Sequence, residues 1–311
     1  MPIRSTSTNL DRRSKAQQTH ITHQWQKKIR WLSSRIPTAY FTARPEQVEY
    51  RVLTPDIPFE TAGEGSAGGR VVLTIQEAEL HVEPFDSGEP LRVEGRYDVN
   101  AFALEDELSP GVDGDGAWTY RATFGRAERS GAFSGLVSLV RGSTARIDVF
   151  LPADIPLDLV LKMQEGGAVI RLAGLWLRTA DLDLESGAFD LSVDEPLREP
   201  MESLSIRTRR GGALLNRLGN ASPRRLDVSY GLGLIDMDLG GQWLADAEIT
   251  IEGGTGGGVV HLPSGVTLEG LDRHGVEAPD AADPKLPTLR FSVSTGVGWL
   301  EFSDWARRRG S

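Results

Sequence analysis

The feature that most constrains this chain is a small-residue corner that keeps returning between stretches of alternating apolar and polar residues. It reads Gly166-Gly167-Ala168, Ser186-Gly187-Ala188, Gly211-Gly212-Ala213, Gly231-Leu232-Gly233, Gly256-Gly257-Gly258 and Gly296-Val297-Gly298. Taken as turns, Gly167, Gly187, Gly212, Gly233 and Gly257 are spaced by 20, 25, 21 and 24 residues, and Gly298 follows after 41. Between the corners lie Leu182-Asp183-Leu184, Phe189–Val193, Leu204-Ser205-Ile206, Leu226–Tyr230, Ile235–Leu239 and Ile249–Glu252. Strict alternation puts one set of side chains on each face of a strand. One such strand pair cannot bury its apolar face alone, so a drifting period near 20–25 predicts a stack whose rungs share one interior. Glycine at each corner supplies positive φ or lets backbones approach closely.

The fold class expected is therefore all-β: a solenoid-like stack of short strands over residues 151–303. Ahead of it, residues 38–150 read as an antiparallel β layer. Its strands are expected at Val71–Ile75, Ala78–Val82, Leu91–Gly95, Trp118–Phe124 and Phe133–Val140. The acidic, Gly-rich stretch 103–117, with Pro110, reads as an exposed loop. An acidic, Pro-rich insertion is expected at 277–287, before final strands at Leu289–Ser294 and Trp299–Phe302. Residues 304–311 form a basic tail. Open ends of such a stack are adhesive edges. Residues 40–150 and Trp299–Phe302 are expected to cap them, or a second copy would, giving a homo-oligomer.

Residues 1–37 are a separate case. They carry eight Lys or Arg against the single acid Asp11, while the whole chain has a net charge of −10. Ile21, Trp25, Ile29, Leu32 and Ile36 make one apolar stripe, which predicts a short amphipathic helix ended by Pro37. Trp25, Lys27, Lys28, Arg30 and Trp31 are the candidate contacts of residues 18–36 with a membrane surface or a partner. The acidic body repels nucleic acid, so no nucleic-acid partner is expected. No run of 18 apolar residues and no apolar signal region is written into the chain.

Several residues together resemble a known family. Pro156–Leu159, Leu218-Gly219-Asn220-Ala221, Asp236–Trp243, Ala245-Asp246, Ile249–Gly258 and His261-Leu262-Pro263 look like the toast-rack domain. That domain is related to the C-terminal part of LiaF-type cell-envelope stress proteins and to adhesin-like domains of unknown function. The resemblance covers about residues 70–302. It implies a β-strand stack, envelope association and regulation through protein–protein contact.

Signals for catalysis are weak. With no cysteine, thiolate zinc sites and cysteine nucleophiles are excluded. Asp181 with Asp183, and Asp236 with Asp238, each share a strand face, as a β-helix polysaccharide lyase or hydrolase would require. Leu182 and Met237 between them instead mark the solvent face of half-buried strands. Asp113-Gly114-Asp115-Gly116 lacks the further ligands of a calcium loop, and Gly253–Gly258 lacks the lysine of a phosphate loop. His20 and His23 have no third ligand near them. His81 and His261 are expected to face solvent, and His274 to lie in a loop. The expectation is a non-enzymatic binding or regulatory scaffold with no cofactor and no metal. The alternatives are the β-helix sugar-cleaving enzyme and a membrane-peripheral adaptor held by the basic helix.

Overall fold

The computed structural model describes residues 48–55, 68–86, 88–110, 117–127, 145–274 and 285–304. The expected helix of residues 18–36 lies outside them, with Trp25, Lys27, Lys28, Arg30 and Trp31. So do the expected strand Phe133–Val140, the glycine-aspartate stretch 113–116, most of the 277–287 insertion and the tail after Asp304.

Among the described residues, fourteen strands join in one sheet. In chain order they are β1 (Val48–Leu53), β2 (Gly69–Pro84), β3 (Arg92–Asp98), β4 (Phe102–Pro110), β5 (Trp118–Arg126), β6 (Arg146–Leu151) and β7 (Leu157–Arg171). There follow β8 (Leu177–Ser192), β9 (Ser203–Asn216), β10 (Arg225–Asp238), β11 (Ala247–Leu262), β12 (Thr267–Glu269), β13 (Thr288–Thr295) and β14 (Gly298–Asp304). Strands β2, β7, β8, β9, β10 and β11 pair with one another in parallel and in that order. The class is all-β and stacked, as the alternation predicted.

The rungs are longer than the sequence suggested. Strands β7 to β11 each run 14–16 residues straight through the glycine corner. Leu182–Leu184 and Phe189–Val193 thus fall on two limbs of β8, and Leu226–Tyr230 and Ile235–Leu239 on two limbs of β10, with Val193 and Leu239 just past the strand ends. The corner changes which residues face inward. In β9 the buried positions are Leu204 and Ile206 before it and Ala213 and Leu215 after it. In β10 they are Leu226, Val228 and Tyr230, then Ile235 and Met237. Even numbers give way to odd, so one residue per rung must step out of the extended pattern, as at a β-bulge. Glycine performs that step. Positive φ occurs at Gly166 (128°), Gly187 (140°), Gly211 (127°), Gly233 (150°) and Gly256 (143°). These residues are register partners, and Gly298 continues the column beside Gly256. A Cβ on Gly187, Gly211, Gly233, Gly256 or Gly298 would overlap the carbonyl oxygen of the preceding glycine in the column.

Three of the expected turn glycines therefore need correction. Gly187, Gly233 and Gly298 stand in the column. Gly167, Gly212 and Gly257 each follow it by one residue, on the outer face of the second limb. At Gly212 the nearest atom to an added Cβ is the Leu234 carbonyl oxygen at 3.9 Å. Spacing alone does not say which member of a glycine pair bends the chain.

The described strands of residues 48–150 are of two kinds. Only β1, β3 and β4 are antiparallel, in the pairs β1–β3, β3–β6 and β4–β5. Strand β2 is a full bent rung, with Val71, Leu73 and Ile75 buried before the bend and Ala78, Leu80 and Val82 after it. Strands β5 and β6 lie parallel to its two limbs and together make the end rung. Alternation looks the same in parallel and antiparallel strands, so the sequence could not separate them. No break in pairing falls at residue 150, because β2 pairs along its length with β7. The stretch expected to be a loop from residue 103 is strand β4 as far as Pro110. Phe102 and Leu104 anchor it, and an edge strand tolerates acids on its free side and a terminal proline.

Connections between rungs close the interior, burying Leu172, Leu175, Leu197, Met201, Leu218, Leu239 and Trp243. Asn220, itself buried, ties three of them together. Its amide donates to the carbonyls of Val193 (2.8 Å) and Asp194 (3.2 Å), and its side-chain oxygen accepts from Gln242 N (3.0 Å). At the β5 end, the Tyr120 hydroxyl is buried beside the Asp106 carboxylate and makes no hydrogen bond of ordinary geometry among the described residues. Burial first, and the Asp106 carboxylate second, raise its pKa well above the usual phenol value. The neutral phenol is thus favoured in the fold, and the unfolded chain ionises first, near pH 10. Stability should be intact below about pH 10 and fall above it. Tyr120→Phe should leave neutral-pH stability unchanged or raise it by up to about 1 kcal/mol, and flatten the alkaline loss. Urea unfolding across pH 8–11 checks both.

Candidate binding face

Register fixes what stands on the outer face of the first limbs. From β7 to β11, one column reads Asp158, Thr179, Ser203, Arg225 and Glu248. The next reads Val160, Asp181, Ser205, Asp227 and Thr250, and the third Lys162, Asp183, Arg207, Ser229 and Glu252. No aromatic side chain stands in these columns. Short Ser and Thr side chains in the middle leave a shallow hollow of 220 Å³, lined by Ser205, Arg207, Asp227, Ser229, Thr250 and Glu252. A second, of 480 Å³, lies where the limbs begin, between Glu202, Arg224, Arg225, Asp246, Glu248 and Arg290.

The acids on these faces are distributed in ion pairs rather than gathered. Arg178 donates to Asp158 at 2.6 Å, Arg207 to Asp181 at 3.4 Å, Arg209 to Glu185 at 3.1 Å, and Arg171 to both oxygens of Asp190 at 3.0 and 3.2 Å. Pairs this exposed are worth at most about 1 kcal/mol each, so they hold side chains in place more than they hold the fold. Asp181 is engaged by Arg207, and Asp238 accepts from Gly240 N at 2.7 Å. Neither aspartate pair forms an opposed carboxylate couple. Among the described residues no three His or acidic side chains are placed to hold a metal ion.

The outer face of the second limbs carries one arrangement of triad composition. His261 is hydrogen-bonded to Asp236 through Nε2 at 3.0 Å and to Ser303 through Nδ1 at 2.7 Å. The three stand on the adjacent strands β10, β11 and β14, with His261 and Ser303 in register. The trio is a cross-rung hydrogen-bond chain. His81 pairs with Glu79 at 3.1 Å, and His274 packs on Phe302 at 5.2 Å between ring centroids. The histidines expected in solvent are thus part-buried members of surface networks. Sequence reading passed over Arg207, Ser229, Thr250 and Glu252. Their signal was present as the polar half of each alternation, but which of them meet depends on register.

No family model matches the sequence, and no curated protein matches it. Solved structures do. A putative cell adhesion protein from Clostridium sporogenes is 15% identical, with 83% of this chain and 99% of that chain covered and a TM-score of 0.40. A putative adhesin from Bacteroides fragilis is 9% identical, covering 83% and 98%, at a TM-score of 0.30. One from Parabacteroides merdae is 12% identical, covering 83% and 97%, at 0.24. Likeness at this level does not carry a function across. Among the described residues no helix is long and apolar enough to cross a membrane.

Proposed function

We propose that this protein is a non-enzymatic scaffold that binds a protein partner across the first-limb face of β7 to β11. The observation that carries this is the face itself: in-register rows of short polar and paired charged side chains around an open, shallow hollow. Such a surface offers many weak, directional contacts to a complementary surface, as protein interfaces do. It offers a sugar chain no aromatic ring to stack on and a small substrate no enclosure. The toast-rack resemblance supports an envelope setting and a regulatory role, and Thr250 and Glu252 among its residues stand at one border of the face.

A photo-crosslinking residue at Ser229, introduced in the source cells, tests the reading. A discrete protein adduct is expected, and Arg207→Glu in the same chain should reduce it at least ten-fold. Adducts unaffected by Arg207→Glu, or none at all, would contradict the proposal. So would release of unsaturated sugars from polygalacturonate by the purified protein.

A further inference from the structure

The two ends of the stack are built differently. At the β5/β6 end the outermost strands are β1 and β4, and both carry charge in the row that faces the core. Glu49 and Arg51 continue the buried row of Val93 and Tyr97, and Asp106 continues that of Ala122 and Phe124. Pro110 closes β4. A further strand added there would have to bury these charges, which is how natural sheets blunt their edges.

At the other end the core-side row of the outermost described strand is apolar up to its last residue. Strand β14 pairs only with β11 among the described residues. Its core-side row is Leu300 and Phe302, both packed against the core, and ends in register at Asp304 beside Leu262; the strand contains no proline. Strand β12 covers β13 only at Thr288–Arg290, while no described residue pairs with the free side of β14. Gly298 continues the glycine column, so an added strand can approach as closely here as within the stack. The outer row holds Glu301, and outside residues 1–36 the chain carries 43 acids against 26 Lys and Arg.

We infer that β14 is a strand acceptor. It takes an extended segment of another protein as a parallel strand that continues the second-limb sheet. The segment has a small residue beside Gly298, apolar residues beside Leu300 and Phe302, and a Lys or Arg beside Glu301. A partner segment fits better than a second copy of this chain. Among the described residues, the only edge of a second copy that runs in the same direction and opens toward β14 is β1, which would bring Glu49 and Arg51 into the shared interior. Two-fold stacking of end rungs would set β14 against β13, whose first three residues β12 already covers. The inference extends the proposed binding role to a surface separate from the first-limb face, and either can fail without the other.

The probe is a labelled synthetic peptide, Gly-Lys-Val-Lys-Ile-Ser, titrated by fluorescence anisotropy against the full chain. Saturable binding is expected. Glu301→Lys should weaken it about ten-fold and Leu300→Lys should abolish it, while Tyr50→Lys, at the far end, should leave it unchanged. Circular dichroism melts confirm that each variant is folded. Equal binding by Leu300→Lys, loss on Tyr50→Lys, or no binding to the parent protein would overturn the inference. A concentration-dependent dimer in sedimentation, dissolved by Leu300→Lys, would overturn it in favour of self-association. Crosslinking from Ser229 reports on the first-limb face in every case.

Discussion

Gly211→Ala destabilises the protein by about 3–5 kcal/mol, while Gly212→Ala, one residue on, is neutral or stabilising by up to about 1 kcal/mol. The two glycines are chemically identical neighbours, and only the stack distinguishes them. Gly211 has a φ of 127°, which L side chains rarely adopt, and its missing Cβ is where the Gly187 carbonyl oxygen sits. That oxygen belongs to the backbone of the next rung, so it cannot move without breaking register. Gly212 has ordinary backbone geometry, points outward, and stands beside Ala188 in the register. Its replacement fills open space and lowers only the entropy of the unfolded chain. Chemical unfolding of the two variants measures the difference. Equal effects would mean that the bend is not a column of backbone contacts.

The second large effect is expected at Asn220. Asn220→Leu keeps the approximate volume but leaves the carbonyls of Val193 and Asp194 and the amide of Gln242 without their partner. Buried polar groups stripped of hydrogen bonds cost about 1–3 kcal/mol each, less where water reaches them, so a total loss of about 2–4 kcal/mol is expected. Because these groups lie on three successive inter-rung connections, the variant should also loosen its neighbours. Amide exchange should quicken at Val193–Leu197 and Gly241–Leu244 ahead of the strands. Its neighbour Ser222, whose hydroxyl accepts from Leu244 N at 2.8 Å, is held in a left-handed conformation at φ 42°. The same connection therefore already stores strain that these bonds must hold.

Much of this architecture was legible before any coordinates. Alternation at Leu204-Ser205-Ile206 and Leu226–Tyr230 gave the inward rows, and the recurring glycines gave the rungs. The error at Gly167, Gly212 and Gly257 arose because a Gly-Gly pair offers two equivalent positions. The parity of the apolar residues resolves it: Leu204 and Ile206 are even, Ala213 and Leu215 odd, and the step between them falls at Gly211. Strand direction was not legible, since β2 alternates as an antiparallel strand would. The acids of Phe102–Pro110 suggested a loop because edge strands carry charge on their free side. The binding face was least legible. Asp181 and Arg207 lie 26 residues apart, and nothing but the stacking register brings them together.

That register can be read directly, because the chain has no cysteine of its own. Ser205 and Asp227 are in-register partners on β9 and β10, whereas Ser229 lies two residues further along β10. Disulfides form only where Cα atoms come within roughly 7 Å, which in-register neighbours satisfy and diagonal ones do not. On mild oxidation the Ser205→Cys, Asp227→Cys double variant should close to a disulfide in the folded state, and the Ser205→Cys, Ser229→Cys variant should not. If the second pair closes as readily as the first, or neither closes, the rungs are not stacked in parallel and in register.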